Sequence, residues 1–250
     1  MITLKSAREI EAMRDACRIA AEAQVLVEGA VRPGVTTEEL DIIARRHIEK
    51  CGAVPSFLGY CGYPATINAS VNEEIVHGIP GDRVLKDGDI VSIDLGAKYK
   101  GFHSDCARTY AVGHIAAEAA RLISVTEQAF FAGMNAFTEG DHLISISSAV
   151  QKTAESAGFS VVRELVGHGI GRDLHEEPNV PNFVSGGRGP RLRVGMVLAI
   201  EPMVNYGRKE TYTKADGWTV VTRDGSLSAH YEHTVALTDN GPLILTAVQA

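Results

Sequence analysis

Two stretches of this chain repeat each other in altered form. LKDGDIVSID at residues 85–94 matches LRVGMVLAIE at residues 192–201, with a Leu, a Gly three positions on and an acid six after that. Other pairs follow in the same order. Gly34 and Gly52 bracket one helical stretch, and Gly140 and Gly158 bracket another over the same spacing. HGI occurs at His77 and again at His168, and SDCARTYAV around Asp105 parallels YEHTVALT around Glu232. An ordered series of this kind predicts two related halves, roughly residues 1–115 and 116–250, folded as one domain over 1–250. A chain of 250 residues with 45% apolar and 22% charged content can bury the core this requires.

Each half carries acids inside apolar runs. Asp94 interrupts DIVSIDLGA and Glu201 interrupts VLAIEPMV, where every neighbour reads as buried strand. An ionised carboxylate buried there costs several kcal/mol or more unless a cation or hydrogen-bond donors meet it. LGAKYKGFHS lies between Asp94 and Asp105 and suggests a hairpin turning near Tyr99 and Lys100, which would set the two acids directly opposite. Opposed like charges are destabilising, so such a pair shares either a proton or a cation. The repeat makes Glu201 and Glu232 the matching pair, and a pseudo-two-fold arrangement brings all four together with a histidine of an HGI loop. Two divalent cations would balance four carboxylates, as in two-metal hydrolytic sites. One imidazole among oxygens suits Mn, Fe, Co or Zn better than Ca or Mg. The plain alternative is that Asp94 and Glu201 pair with arginine, for which Arg108 is available.

Among the histidines, His168 sits in VGHGIGRDLHEEP, where flanking glycines allow close backbone approach, and His175 follows it in the same loop. His77 is the counterpart of His168. His47, His103, His114, His142 and His230 have no supporting pattern and read as surface or loop residues. His233 alternates to the strand face opposite Glu232. The segment SFLGYCGYPATINASVNEE before His77 has no counterpart in the second half, and its Tyr, Gly and Pro content suits a pocket wall.

Helical periodicity predicts helices over residues 6–30, 37–51, 116–136 and 142–157, the first two with capping patterns at Ser6/Glu9 and Thr36 or Thr37. Strands are expected in DIVSIDLGA, CARTYAVG, SVVREL, GMVLAIEPMV, GWTVVT and EHTVALT. Helices and strands mix without a βαβ rhythm. The net charge of −7 argues against nucleic acid or an anionic membrane as partner. Four cysteines without a C-x-x-C pair suit a reducing, cytoplasmic setting. The charged N-terminus lacks a signal-peptide core, and no apolar run reaches the ~18–20 residues of a membrane span. There is no G-x-S-x-G elbow, P-loop or G-x-G-x-x-G.

Taken together, NEEIVHGIPG, DIVSIDLGAKYKGFHSDCARTY, GHGIGRDLHEEPNVPNF, LAIEPMVN and DGWTVVTRDGSLSAHYEHTV resemble the type I, bacterial-type methionine aminopeptidases, over essentially the whole chain. The resemblance implies an α+β pita-bread fold: a curved antiparallel sheet with helices on its outer face and an internal pseudo-two-fold repeat. It implies two divalent ions (Co, Mn, Fe, Zn or Ni) on Asp94, Asp105, His168, Glu201 and Glu232. Glu201 would also take the proton of the attacking water. His175 would stabilise the tetrahedral intermediate and His77 would contact the scissile amide nitrogen. The methionine pocket maps onto Tyr60, Tyr63, His77, His175, Trp218, Phe57, Asn68 and Leu174. Well-known bacterial members have cysteine at Asn68 and phenylalanine at Leu174, which puts pocket shape in question. A monovalent cation near main-chain oxygens of Asn72 and Ser228 is a further carry-over. The implied substrate is the initiator methionine of nascent chains with a small second residue, met by a cytoplasmic monomer in transient association with the ribosome. A proline-directed aminopeptidase or prolidase-like enzyme, and a non-catalytic peptide-binding module, are the competing readings.

Overall fold

Ser6 accepts the Glu9 backbone N–H, and the Glu9 carboxylate accepts the Ser6 N–H, so α1 (Ala7–Glu28) starts where its capping pattern lies. Thr36 and Glu39 repeat the device at α2 (Thr37–Lys50). In the second half α3 (Ala117–Asn135) and α4 (Ile144–Ser156) begin without a side-chain cap bond. Their expected spans shorten by one or two residues at each end, as helix ends do. α1 packs on α2 and α3 on α4. The computed structural model describes residues 1–247.

The pairs of helices lie on one antiparallel sheet of eight strands: β1 (Ile67–Val71), β2 (Ile90–Leu95), β3 (Cys106–Ala111), β4 (Gly167–Gly169), β5 (Glu176–Val180), β6 (Val197–Ile200), β7 (Glu232–Thr238) and β8 (Gly241–Ile244). Their order is β5-β4-β6-β7-β3-β2-β1, with β8 also on β7. The seam between β7 and β3 divides strands of the first half of the chain from those of the second. Smaller three-stranded sheets flank the large one.

Alternation along the strands decides which face is which. Ile67, Ala69 and Val71 of β1 and Val91, Ile93 and Leu95 of β2 pack into the core with α1 and α2. Leu198 and Ile200 of β6 and Val235 and Leu237 of β7 pack with Phe130 and Ile146 of α3 and α4. A period of two then turns Asn68, Asp94, Ala107, Ala199, Glu232 and Thr234 to the face away from the helices.

The hairpin between the first two acids differs from expectation. Its turn centres on Lys100 and Gly101, with φ of 50° and 82°, and Asp94 pairs with Ala107 rather than Asp105. A two-residue turn of this hand needs positive φ at both central positions, and glycine supplies one without steric cost. Moving the turn by one residue moves the pairing by two, so Asp105 stays on the same face but lies diagonal to Asp94. GMVLAIEPMV is also not one strand. β6 stops at Ile200, Pro202 has no N–H for the ladder, and Met203–Asn205 joins a different sheet with Ser160–Val161 and Ser228–His230. Glu201 therefore sits where the chain crosses between sheets. SVVREL contributes only Ser160–Val161, and β1, β4, β5 and β8 fall outside the expected strands.

The glycines beside His168 permit close strand packing. A Cβ on Gly169 would stand 2.3 Å from the Glu177 carbonyl oxygen, and one on Gly167 would stand 2.4 Å from that of Ala199. Backbone carbonyls cannot swing aside, so Gly169→Ala must force β4 from β5. The expected loss is roughly 1–3 kcal/mol, the usual cost of overpacking, read as a lower urea midpoint at unchanged slope.

Candidate active site

Two rows of paired residues cross the inner face of the sheet. Asp94 pairs with Ala107, and Ala107 with Glu232. Continuing the β6–β7 register one step past Ile200 and His233 sets Glu201 opposite Glu232. In the next row, Thr234 pairs with Ala199 and Ala199 with His168. Asp105 closes that row: its N–H donates to Thr234 Oγ1 at 3.0 Å, and the Thr234 hydroxyl donates to the Asp105 carbonyl at 2.8 Å. Small residues, Ala107 and Ala199, separate the acids and the imidazole, leaving room between them.

His168 Nε2 lies 3.7 Å from Asp105 Oδ2 and 3.5 Å from Glu201 Oε1. Its Nδ1 is 2.9 Å from the Gly169 carbonyl, which can only accept, so the proton is on Nδ1 and the Nε2 lone pair faces the acids. Ligand atoms of Asp105, His168 and Glu232 all lie within 4.8 Å of one another. Asp94 Oδ1, Asp105 Oδ1 and Glu232 Oε1 are buried without a hydrogen-bond partner. Arg108, the alternative partner, does not reach them. It faces the other way, donating to the main-chain carbonyls of Ala107 and Glu232 and lying over the Tyr231 ring, 4.1 Å from its centroid. His233 is beside it on that face, as its alternation from Glu232 suggested.

Burial raises the pKa of all four carboxyl groups. For Asp94 burial dominates; for Asp105 the charges of Glu232 and Asp94 add to it; for Glu201 those of Asp105 and Asp94 add; and for Glu232 those of Glu201 and Asp94 add. Such a cluster holds either protons or cations. Four oxygen donors, one imidazole and orphaned carboxylate oxygens fit divalent metal.

The acids floor a cavity of about 270 Å³. Phe57, Tyr60, Tyr63, Asn68, His77, Leu174, His175 and Trp218 line it together with the five acid and imidazole residues. Tyr63 OH is 3.0 Å from the carbonyls of both Ile67 and Gly78, and its ring meets Trp218 edge-on at 5.1 Å. The unmatched segment is thereby tied to the HGI turn. His77 adopts φ 60°, a strained region for a residue with a Cβ. Burial, with His175 adding to it, takes its pKa down to about 4. His175 Nδ1 is 2.7 Å from Tyr60 OH, and burial lowers its pKa.

His230 is a correction to the reading as surface or loop. It is buried, with Nε2 3.7 Å from Glu201 Oε2, and burial, His77 and Arg108 push it down to about 3. The signal lay in period two, because His230, Glu232 and Thr234 share a face. His103 is also buried, against Ser56 Oγ at 2.9 Å. Cys61, Val76, Leu165, Val166 and Met203 line the cavity without having been expected there.

A family model, "Metallopeptidase family M24", matches residues 11–239. The chain belongs to metallopeptidase family M24. Membership of M24 implies divalent metal, which agrees with the donor set above. The methionine aminopeptidase of Clostridium perfringens is 56% identical over 249 residues, covering 100% of both chains. The crystal structure of methionine aminopeptidase from Rickettsia prowazekii superposes with a TM-score of 0.97 at 41% identity, covering 99% of this chain and 100% of that one. Prolidase from Pyrococcus furiosus, another pita-bread structure, gives 0.78 at 24% identity, and 66% of its chain is covered. At that identity the likeness is one of fold. The α+β pita-bread fold of this M24 chain, with its curved antiparallel sheet and four outer helices, is thus shared with both. Among the described residues no helix is long and apolar enough to cross a membrane.

Metal removal should change the sign of the pH dependence of stability. An acid with a raised folded pKa holds its proton more tightly when folded, so stability is lost as pH rises through that value. The buried histidines oppose this: His77 near 4 and His168 and His230 near 3 lie below the ordinary 6.5, so their contribution grows with pH and is complete by about 6.5. Above that the raised acids act, joined in the alkaline range by the buried thiols of Cys17 and Cys106. The melting temperature of chelated protein is expected to fall as pH rises from neutral, and Mn2+ to reduce the fall, as read by calorimetry.

Proposed function

We propose that the chain is a methionine aminopeptidase that removes the initiator methionine from new proteins with a small second residue. The observation that carries this reading is one cavity in which a metal-compatible acid cluster adjoins a wall of Phe57, Tyr60, Tyr63 and Trp218. Aromatic walls suit a flexible, polarisable thioether. The names of the full-length relatives agree with it.

In this reading Asp94, Asp105, His168, Glu201 and Glu232 hold two divalent ions of the Co, Mn, Fe, Zn or Ni class. Bound ions of this kind lower the pKa of water and polarise a carbonyl. The Glu201 carboxylate accepts the proton of the attacking water. With His175 Nδ1 accepting a hydrogen bond from the Tyr60 hydroxyl, Nε2–H is left to donate to the oxygen of the tetrahedral intermediate. Neutral His77 contacts the amide nitrogen of the leaving peptide. Phe57, Asn68, Leu174, Tyr63 and Trp218 enclose the methionine side chain. Asn68 stands opposite Asp94 in the β1–β2 register, so this departure from well-known members adjoins the acids directly. A monovalent cation near Asn72 and Ser228 would share the Asn72 carbonyl, which already accepts the Ser228 N–H at 2.9 Å.

Residues 1–250 act as one catalytic domain whose halves, roughly 1–115 and 116–250, meet at the β3–β7 seam. The enzyme works as a cytoplasmic monomer that visits the ribosome transiently; its free cysteines suit a reducing compartment.

Purified protein is expected to release methionine from Met-Ala-Ser after chelation and re-addition of Mn, Co or Fe. Glu201→Gln should lower kcat by roughly 10²–10⁴-fold, the usual worth of a general base. Release of alanine from Ala-Pro-Ala instead would make the enzyme proline-directed, and no turnover with any metal would leave a binding module. Tyr60→Phe, which keeps the ring, should cost kcat roughly fivefold, about one hydrogen bond, with KM for Met-Ala-Ser little changed. An unchanged kcat would remove Tyr60 from the orientation of His175.

A further inference from the structure

A second group of metal-ligating side chains lies between the first two helices and shares no residue with the active-site cavity. It consists of Glu22 on α1 and His47 and Cys51 on and just past α2. His47 and Cys51 are four apart, so the helix presents both on one side. Glu22 Oε2 is 3.1 Å from His47 Nε2, and Cys51 Sγ is 3.6 Å from the same nitrogen. All three donor atoms lie within 4.8 Å of one another.

One nitrogen cannot serve both neighbours as a hydrogen-bonding group. With a proton, Nε2 donates to the carboxylate and has no lone pair for the thiol. Without one, it accepts from the thiol and turns a lone pair toward the carboxylate. A cation that accepts a lone pair from all three removes the conflict. The spacing agrees: ligand bonds of about 2.0–2.3 Å at a tetrahedral angle separate N from O or S by roughly 3.3–3.6 Å. Arg18 Nη1 takes the other Glu22 oxygen at 2.6 Å, which orients the carboxylate and leaves Oε2 as a single donor. The His47 side chain is 18% exposed and that of Glu22 37%, so ions reach the group from solution.

We propose that Glu22, His47 and Cys51 bind a borderline-soft divalent cation of the zinc class, with the fourth position open to solvent. Sulfur and imidazole together exclude Mg and Ca as the preferred ion. On binding, the Cys51 S–H bond breaks, its proton leaves to solvent and the sulfur–metal bond forms, with no change of oxidation state. Thiolate and carboxylate together balance the dication. The ion would fasten α1 to α2 on the side of the sheet away from the catalytic acids.

The test uses metal-stripped full-length protein, iodoacetamide and mass spectrometry of the Cys51 peptide, with and without Zn2+. Zinc should slow Cys51 alkylation at least about tenfold, since a metal-held thiolate is no longer a free nucleophile. A free-thiol peptide in the same tube is the reference, because Cys61 lines the active-site cavity and Cys17 and Cys106 are buried. His47→Gln should abolish the protection. Cys51→Ser should bind one zinc equivalent fewer than the parent, lose the ultraviolet thiolate-to-cadmium band in a Cd2+ titration, and hydrolyse Met-Ala-Ser at the parent rate. Equal alkylation with and without zinc, protection that survives His47→Gln, or unchanged zinc stoichiometry in Cys51→Ser would each overturn the proposal.

Discussion

The mutual repulsion of four buried carboxylates governs this molecule. Burial raises the pKa of Asp94, Asp105, Glu201 and Glu232, and the charges of neighbouring acids raise the last three further. Among the described residues no lysine or arginine joins them; Arg108, adjacent in sequence to Ala107, turns to the opposite face. The fold must therefore supply the cohesion from elsewhere. It does so on the other side of the sheet, where alternate residues of the same strands pack under the four helices. One set of strands thus carries its stabilising apolar side and its costly polar side back to back, and strand parity keeps the two apart.

Much of this was legible in the sequence. The helices declared themselves by periodicity and by Ser6/Glu9 and Thr36/Glu39, because these are local interactions. The acids stood out because an acid in an apolar run has few explanations. The turn before Asp105 was misplaced by one residue, since the choice between Tyr99–Lys100 and Lys100–Gly101 rests on backbone handedness rather than composition. That error cost nothing at the level of the face, because the pairing shifted by an even number. Pro202 ending β6, and the transfer of Met203–Asn205 to another sheet, belong to tertiary structure that a run of apolar letters does not reveal. His230 was missed although the alternation that set His233 aside also placed it with Glu232.

The segment unique to the first half binds the pocket to the chemistry. Tyr63 reaches the carbonyls of Ile67 and Gly78, and Tyr60 holds His175 from across the cleft. Tyr63 thereby ties the segment to the turn that carries His77, and Tyr60 ties it to His175. A change in wall shape, as at Asn68 or Leu174, reaches the reacting groups through few intermediates.

The sheet order has a consequence for how such a chain is made. β7 joins the strands of the two halves, yet among the strands of this sheet only β8 is synthesised after it. Until β7 arrives, β3 and β6 each present an unpaired edge, the kind of edge that invites wrong partners. Such long-range pairing also slows folding. Glu232 arrives with the same strand. Closure of the sheet and completion of the acid cluster are therefore a single event, so a growing chain carries an exposed edge from the completion of β3 until β7 is made, and has no finished site before then.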